Sequence, residues 1–557
     1  ACSDDATPAA DAGATDGPVA GDGSTDSAAD TLAADMGPKT VANKVDPTEF
    51  LPTQWMVGAY TGSTSADPVK AALQKGTFAY PKAGLDANKI HWSARTPTAG
   101  GKLGNFPQST SGPYMVWAAA RVKLTAPAHL MIMSAPTYEV WVNGKMRPGD
   151  VYGSRKPYIA LPAAAGDNLV VVRYYVRSST NASAPLQTTS DELVINENDL
   201  TYPEFPVGDT TEVCLGAPVL NLSGTAAVTL TARVVGNQYF QETTTTYPGI
   251  APHATTQVAF SLKPKAAFTK AGEEVTVKLH LESPDLKYAY EREIKLKTVD
   301  NNTAYRLTRF SRGDNSCQYA GVLPPKSFDK TKKYALILSL HGAGVEAIGQ
   351  AKSYDQKDWA YVVAPTNRRP YGFDWEVWGR RDAIEALDHA MATFNIDPTK
   401  VYLTGHSMGG HGTWHVGVTT PGRFAAIAPS AGWCSFYTYG GSAKPKGSFA
   451  RTQAHSDTTV YLQNLKRRGI YILHGGADTN VPPSEGKNMY ALAQKVTSDV
   501  TYYEEAGMGH WWDKDKTKAG VDCVDWGPMM DFFKTHTLDP SELDFDFLTP
   551  GPWYSDK

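Results

Sequence analysis

The chain has 557 residues, 41% of them hydrophobic and 20% charged, an ordinary globular composition with room for about three or four domains. No stretch approaches 18 consecutive apolar residues, so no membrane-spanning helix is expected. The net charge of −4 is unevenly spread: eight aspartates against Lys39 and Lys44 give residues 1–45 a charge of −6 and leave about +2 on the rest. That remainder has no dense basic run, and a nucleic-acid partner is not expected.

Residues 1–45 are Ala, Asp, Gly, Ser, Thr and Pro with almost nothing to bury. Such a segment cannot offset its ordering entropy and is expected to be a disordered acidic linker. Its head, Ala1-Cys2-Ser3, resembles the end of a bacterial lipoprotein signal. That resemblance implies export, lipidation of Cys2, and a membrane association through that lipid only.

From 46 to 205 the signal is short alternating strands. "TYEVWVNGKM" alternates Tyr138, Val140 and Val142 and then turns at Asn143-Gly144, a strong hairpin cue. "DNLVVVRYYVRSS" is a second β-branched and aromatic run, and a β-sandwich is expected. The "VWVNGK" hairpin followed by "GDNLVVV" resembles the galactose-binding-like jelly rolls attached to many polysaccharide-active enzymes. Residues 206–300 hold four more strand-like runs, from "AAVTLTARVV" to "YEREIKLKTV", as in a small immunoglobulin-like sandwich. Neither region shows a catalytic constellation, and both are expected to be accessory.

From 301 to 557 the pattern changes. "YALILSLHGAG", "YVVAP", "VYLTG", "FAAIAPSAG", "IYILHGG" and "VTYYEEAG" read as buried strands. Between them lie helical segments such as "RDAIEALDHAMATFNI" and "SEGKNMYALAQKV". This alternation predicts a mostly parallel, doubly wound α/β sheet with helices on both faces.

Within that region Gly405-His406-Ser407-Met408-Gly409 is a G-x-S-x-G pentapeptide between a strand and a helix, where a sharp turn lifts the serine hydroxyl above the sheet. A serine needs a base, and the base needs an orienting acid. Asp478, just beyond the strand "IYILHGG", is the expected acid, and His510, in "EEAGMGHWWD", the expected base. Both lie at carboxyl ends of strands, where sites in open α/β sheets collect. The oxyanion donors are expected to be the backbone N–H of Met408 and one from the "HGAG" loop, that of Ala343. Trp375, Trp378, Trp433, Trp511 and Trp512 lie near these stretches and could wall an aromatic cleft, or simply pack.

"LSLHGAG", "GHSMGGHGTW", "HGGADTNVPPSEG" and "GMGH" together resemble the α/β-hydrolase superfamily. Within it they resemble exported feruloyl esterases and polyhydroxyalkanoate depolymerases, and the catalytic domain of prolyl oligopeptidases. The resemblance implies Ser407, Asp478 and His510 as the triad, with no metal and no organic cofactor. The reaction expected is hydrolysis of a carboxylic ester, polymeric or carbohydrate-linked, by a secreted monomer. A peptidase, or a non-catalytic carbohydrate-binding or adhesion protein, is the alternative. The sandwiches in place of a propeller depart from the prolyl oligopeptidase pattern.

Besides Cys2, four cysteines remain, and in an exported chain they suit two disulfides. Cys434 and Cys523 share the C-terminal region and are expected to pair, leaving Cys214 to Cys317. The absence of any C-x-x-C pair makes a zinc site unexpected.

Overall fold

The computed structural model describes residues 47–551, apart from 63–65, 111, 126–127, 134–135, 151–153, 177–178, 225–227, 284–287, 369–373, 442 and 543–544. The acidic segment and Cys2, with the linker and lipidation expected of them, lie outside the described residues.

The first β region is a six-stranded and a four-stranded antiparallel sheet. Val116, Leu130, Ile132, Val140 and Val172 are buried between them. The Asn143-Gly144 turn forms as its residues require: Val142 pairs with Lys145, and both turn residues take positive φ, 50° and 79°. Trp141 beside that hairpin is buried, and its Nε1 donates to Glu139 Oε2 at 3.2 Å. It therefore presents no flat face for a sugar.

Next come a three-stranded and a five-stranded sheet. The strand Leu193–Ile195, which the sequence reading leaves in the first region, pairs with Val213–Asn221 of this second pair of sheets. The buried apolar cluster here is not self-contained. It runs from Leu215, Phe260 and Val277 into Leu307, Leu336 and Leu403 of the C-terminal sheet. A disulfide between Cys214 and Cys317 ties the two regions together, and the Cys214 N–H donates to Thr308 Oγ1 at 2.9 Å.

The C-terminal region is an eight-stranded sheet. Its strands are β1 (Tyr305–Phe310), β2 (Cys317–Leu323), β3 (Tyr334–Leu340), β4 (Ala360–Pro365), β5 (Ile396–His406), β6 (Ala426–Ser430), β7 (Gly469–Gly475) and β8 (Val500–Glu505), in spatial order 1-2-4-3-5-6-7-8. The pairs β1–β2 and β2–β4 are antiparallel, and from β4 onward every pair is parallel. Helices α1 (Ala347–Lys352), α2 (Trp378–Thr393), α3 (Met408–Thr419), α4 (Pro483–Ala493) and α5 (Gly527–Lys534) connect or follow them. The result is the mostly parallel α/β sheet that the sequence predicts, with an antiparallel edge.

Alternate residues of β3 explain why its sequence is apolar throughout. Leu336, Leu338 and Leu340 enter one buried cluster, while Ala335 and Ile337 enter another on the opposite face. Helix α2 buries Ala383, Ala386, Leu387 and Ala390, one stripe at helical spacing. The predicted "FNI" end of that helix instead leads into β5, because Ile396 pairs with Tyr334 of β3. Helix α3 is rich in Gly and Thr, poor formers in isolation, yet all twelve residues are buried, so packing rather than propensity holds it.

The expected Cys434–Cys523 bridge does not form; both thiols are free and buried. Cys434 belongs to the cluster on one face of the sheet and Cys523 to the cluster on the other, so the sheet separates them. Cys434 Sγ instead donates to Glu485 O at 3.3 Å, and Cys523 O accepts from Ser430 Oγ at 2.6 Å. Burial pushes both thiols well above the usual range, which keeps them protonated and unreactive.

Candidate active site

Ser407 occupies the turn from β5 into α3 with φ 59° and ψ −119°, a conformation that a residue with a Cβ rarely adopts. Its N–H is held by Ser430 O of β6 at 3.0 Å, and its carbonyl accepts from Gly410 N at 2.8 Å and His411 N at 3.1 Å. The flanking glycines are there for contact distance. A Cβ on Gly405 would meet Gly409 O at 2.4 Å, and one on Gly410 would meet Ser430 O at 2.3 Å. Ser407 is thus raised at the end of the sheet at the N-terminus of α3, where unsatisfied amides and the helix dipole favour negative charge.

Asp478 follows β7 and His510 follows β8, and the structure brings them together: His510 Nδ1 donates to Asp478 Oδ2 at 2.7 Å. The other carboxylate oxygen of Asp478 accepts from Asn480 N at 2.8 Å and Val481 N at 3.0 Å. Burial alone would raise the Asp478 carboxyl, but hydrogen bonds from His474 and His510 outweigh it and hold the group well below the usual carboxylate range. Asp478 is therefore an anion that accepts from His510 Nδ1 and holds the imidazole ring in place. The His510 ring lies 4.8 Å, centroid to centroid, from the ring of His406, the residue before Ser407. This sets the imidazole and its carboxylate partner beside the serine turn.

The 341–344 loop closes the other side. A Cβ on Gly342 would lie 3.4 Å from Ser407 Cβ, so the loop backbone runs against the turn. The loop is anchored from below, where Trp375 Nε1 donates to His341 O at 3.0 Å and His341 Nδ1 donates to Gly342 O at 2.8 Å. Ala343 and Gly344 at its tip are exposed.

The five tryptophans divide. Trp375 is fully buried as that loop anchor, and Trp512 is buried against Trp526, so neither lines a cleft. Trp433 is buried too, stacked between His411 and Tyr439 at 5.1 and 4.6 Å. Trp378 is half exposed but packs between Arg368 and Arg381 and against the β1–β2 turn at Gly313. Trp511 is half exposed beside His510 and stands edge-on to His406 at 5.2 Å. Of the five, it is the one exposed beside His510.

Two residues escaped the sequence reading. His474 Nε2 donates to Val481 O at 2.9 Å and lies 3.5 Å from Asp478 Oδ2, bracing the acid loop. His406 is fully buried, and burial first, then the neighbouring His510, holds it well below the usual range, so it is neutral. Its Nδ1 meets Ser430 Oγ at 3.1 Å. The only available signal was position: one precedes the serine, and the other lies four residues before the acid.

Comparison with known proteins agrees with this geometry. Residues 368–537, which include Ser407, Asp478 and His510, match the model of the prolyl oligopeptidase family. That stretch is thus similar to a family of serine hydrolases, and it lies in a domain built on an α/β-hydrolase-type sheet. It is 28% identical over 279 residues to an uncharacterized secreted protein of Arthroderma benhamiae, covering 45% of this chain and 28% of that one. It is 25% identical over 223 residues to dipeptidyl-peptidase 5 of Porphyromonas gingivalis, covering 34% and 32%. A bifunctional acetylxylan esterase/xylanase of Neocallimastix patriciarum is 31% identical over 109 residues, covering 17% and 16%. The matched stretches span less than a third of each relative's own length. No helix among the described residues is long and apolar enough to cross a membrane.

Proposed function

We propose that this protein is an exported carboxylic ester hydrolase of the serine class, with Ser407 as nucleophile, His510 as base and Asp478 as the orienting acid. The observation that carries the proposal is the His510–Asp478 hydrogen bond of 2.7 Å beside a serine with φ 59° at a strand–helix turn. In the proposed reaction, His510 Nε2 takes the proton of Ser407 Oγ as the oxygen attacks the ester carbonyl carbon. The carbonyl oxygen becomes an oxyanion facing the N–H groups of Met408 and Ala343, each donor contributing about 3 kcal/mol. As the carbonyl re-forms, the alkoxide leaves with the proton from His510, giving an acyl-serine and a free alcohol. Water then loses a proton to His510 and attacks the acyl carbon. The proton returns to Ser407 Oγ, and the acid departs.

The substrates proposed are feruloyl or acetyl esters of polysaccharide, or a polyester. Support comes from the esterase activity named for the Neocallimastix relative and from Trp511, whose exposed face suits a planar acyl group or a sugar. Export is supported by the secreted relative and by the Cys214–Cys317 disulfide, and lipidation of Cys2 would hold the protein at the cell envelope. In this reading the N-terminal sheets present polymer to the site.

A second reading, a peptidase, is favoured by the family match and by the dipeptidyl-peptidase relative. A panel of nitrophenyl acyl esters, feruloyl esters and aminoacyl anilides on one preparation decides between them. The ester reading expects turnover of the esters at least a hundredfold above the anilides, and the reverse ranking overturns it.

A further inference from the structure

Four residues beyond Ser407, on the far side of the turn, α3 carries a second group of polar side chains that the hydrolytic chemistry does not use. His411, Asp374 and Glu376 each offer one ligand atom, and all three atoms lie within 4.8 Å of one another. His411 Nε2 lies 3.6 Å from Asp374 Oδ2 and 3.7 Å from Glu376 Oε1. These separations are too long for hydrogen bonds. Two ligands bound at about 2.0–2.1 Å to one tetrahedral ion lie ~3.4 Å apart, so small side-chain rotations would close the remainder.

Hydrogen bonds from outside the group orient two of its members. His411 Nδ1 donates to Trp433 O at 3.0 Å, which orients the ring with Nε2 toward the carboxylates. Glu376 Oε2 accepts from Ser456 Oγ at 2.6 Å, which orients that carboxylate and leaves Oε1 toward His411. Inside the group, hydrogen-bond partners stop. Asp374 Oδ1 and Oδ2, Glu376 Oε1 and His411 Nε2 are buried and donate to or accept from no group. The Asp374 side chain is 1% exposed and that of His411 0%. Asp374 meets His411 at ion-pair distance but accepts a hydrogen bond through neither oxygen, which is costly for a fully buried carboxylate.

We infer that Asp374, Glu376 and His411 form a binding site for a divalent cation of the zinc class. One imidazole with two carboxylates suits zinc better than calcium, which takes six to eight oxygens. Two carboxylate charges also balance one divalent ion. The ion would pin the 374–377 segment to α3. That segment also carries the loop anchor Trp375, and Asp374, Trp375 and Val377 all hold positive φ, at 60°, 58° and 43°. A structural ion would help offset that strain. Zinc was unexpected from the cysteine pattern, and this ligand set is invisible to it, because its members come from two segments 37 residues apart and include no thiol.

The test is zinc stoichiometry by elemental analysis, after the purified full chain is loaded with zinc chloride and dialysed against metal-free buffer. The expected result is about one zinc per wild-type chain and less than a tenth of that in Glu376→Gln and His411→Gln, with folding confirmed by circular dichroism. Glu376 is the least buried of the three, so its variant carries the test if His411→Gln does not fold. Zinc should also raise the melting temperature of the wild type by a few degrees and leave Glu376→Gln unmoved. Wild-type protein that retains no zinc would overturn the site. So would zinc retained by the folded variants, which would place it on the thiols, or calcium retained in zinc's place.

Discussion

Replacing Gly409 by Ala tests whether the serine turn works through backbone contact distances. A Cβ built on Gly409 stands 1.9 Å from Leu340 O, 2.5 Å from the Leu340 carbonyl carbon and 3.0 Å from His341 O. Real Cβ contacts essentially never fall below 3.0 Å, so β3 and the start of α3 must part by about 1.1 Å. The atoms in the way are backbone, and no side-chain rotation relieves the clash. Overpacking of this kind costs about 1–3 kcal/mol of stability. The larger effect is on rate. Leu340 leads directly into the 341–344 loop and Gly409 follows Met408, so the displacement separates the two proposed oxyanion donors. A misplacement of about 1 Å is worth ~100-fold in turnover. The assay is steady-state kinetics on a nitrophenyl ester with thermal melts alongside. Gly527→Ala serves as control, because nothing lies within 4 Å of its added Cβ. A Gly409→Ala enzyme that melts with the wild type and retains more than half its turnover would refute the contact argument.

Other expectations can be checked on the same preparations. Asp478→Asn should lower turnover by about 10⁴-fold, because the Nδ1–H of His510 loses its acceptor, and near-normal kinetics would contradict the assignment. The carboxyl of Asp478 is depressed below its ordinary 3.8, so the stability it contributes is complete above that pH and is lost as the pH falls through the depressed value. Wild type and Asp478→Asn should therefore differ in melting temperature at pH 6 and converge in strong acid; a gap that widens on acidification would contradict this. Cys317→Ser removes a bridge between residues 103 apart and should destabilise the chain by about 4.7 kcal/mol in the chain-entropy model; a denaturant midpoint equal to the wild type's would count against it. Peptide mapping after alkylation of the denatured, unreduced protein should find Cys434 and Cys523 modified and Cys214 linked to Cys317; a linked 434–523 pair would contradict the structure.

What the sequence could and could not convey follows from the range of each signal. Six of the eight strands of the large sheet were legible because each is a short apolar run, most of them closed by glycine, and the positions of Ser407, Asp478 and His510 in the fold were legible because each stands where such a run ends. The Asn143-Gly144 hairpin was legible for the same reason: its turn is encoded in two adjacent residues. The face of the sheet on which a residue falls is not local. Spacing that brings Cys434 and Cys523 into one region says nothing of the sheet between them. Tryptophan is ambiguous in the same way: Trp511 and Trp512 are neighbours, yet one is half exposed and the other buried. The continuous core from Leu215 to Leu403 was hidden because periodicity marks a buried face without naming what covers it.

Active-site titration addresses the nucleophile most directly. The full chain is treated with a fluorophosphonate, which reacts with activated serines, digested, and sequenced by mass spectrometry. Serine chemistry at the strand–helix turn predicts one adduct per chain, located on Ser407, appearing in step with loss of ester hydrolysis and absent from a folded Ser407→Ala variant. An adduct on another serine, or full activity after stoichiometric labelling of Ser407, would contradict it.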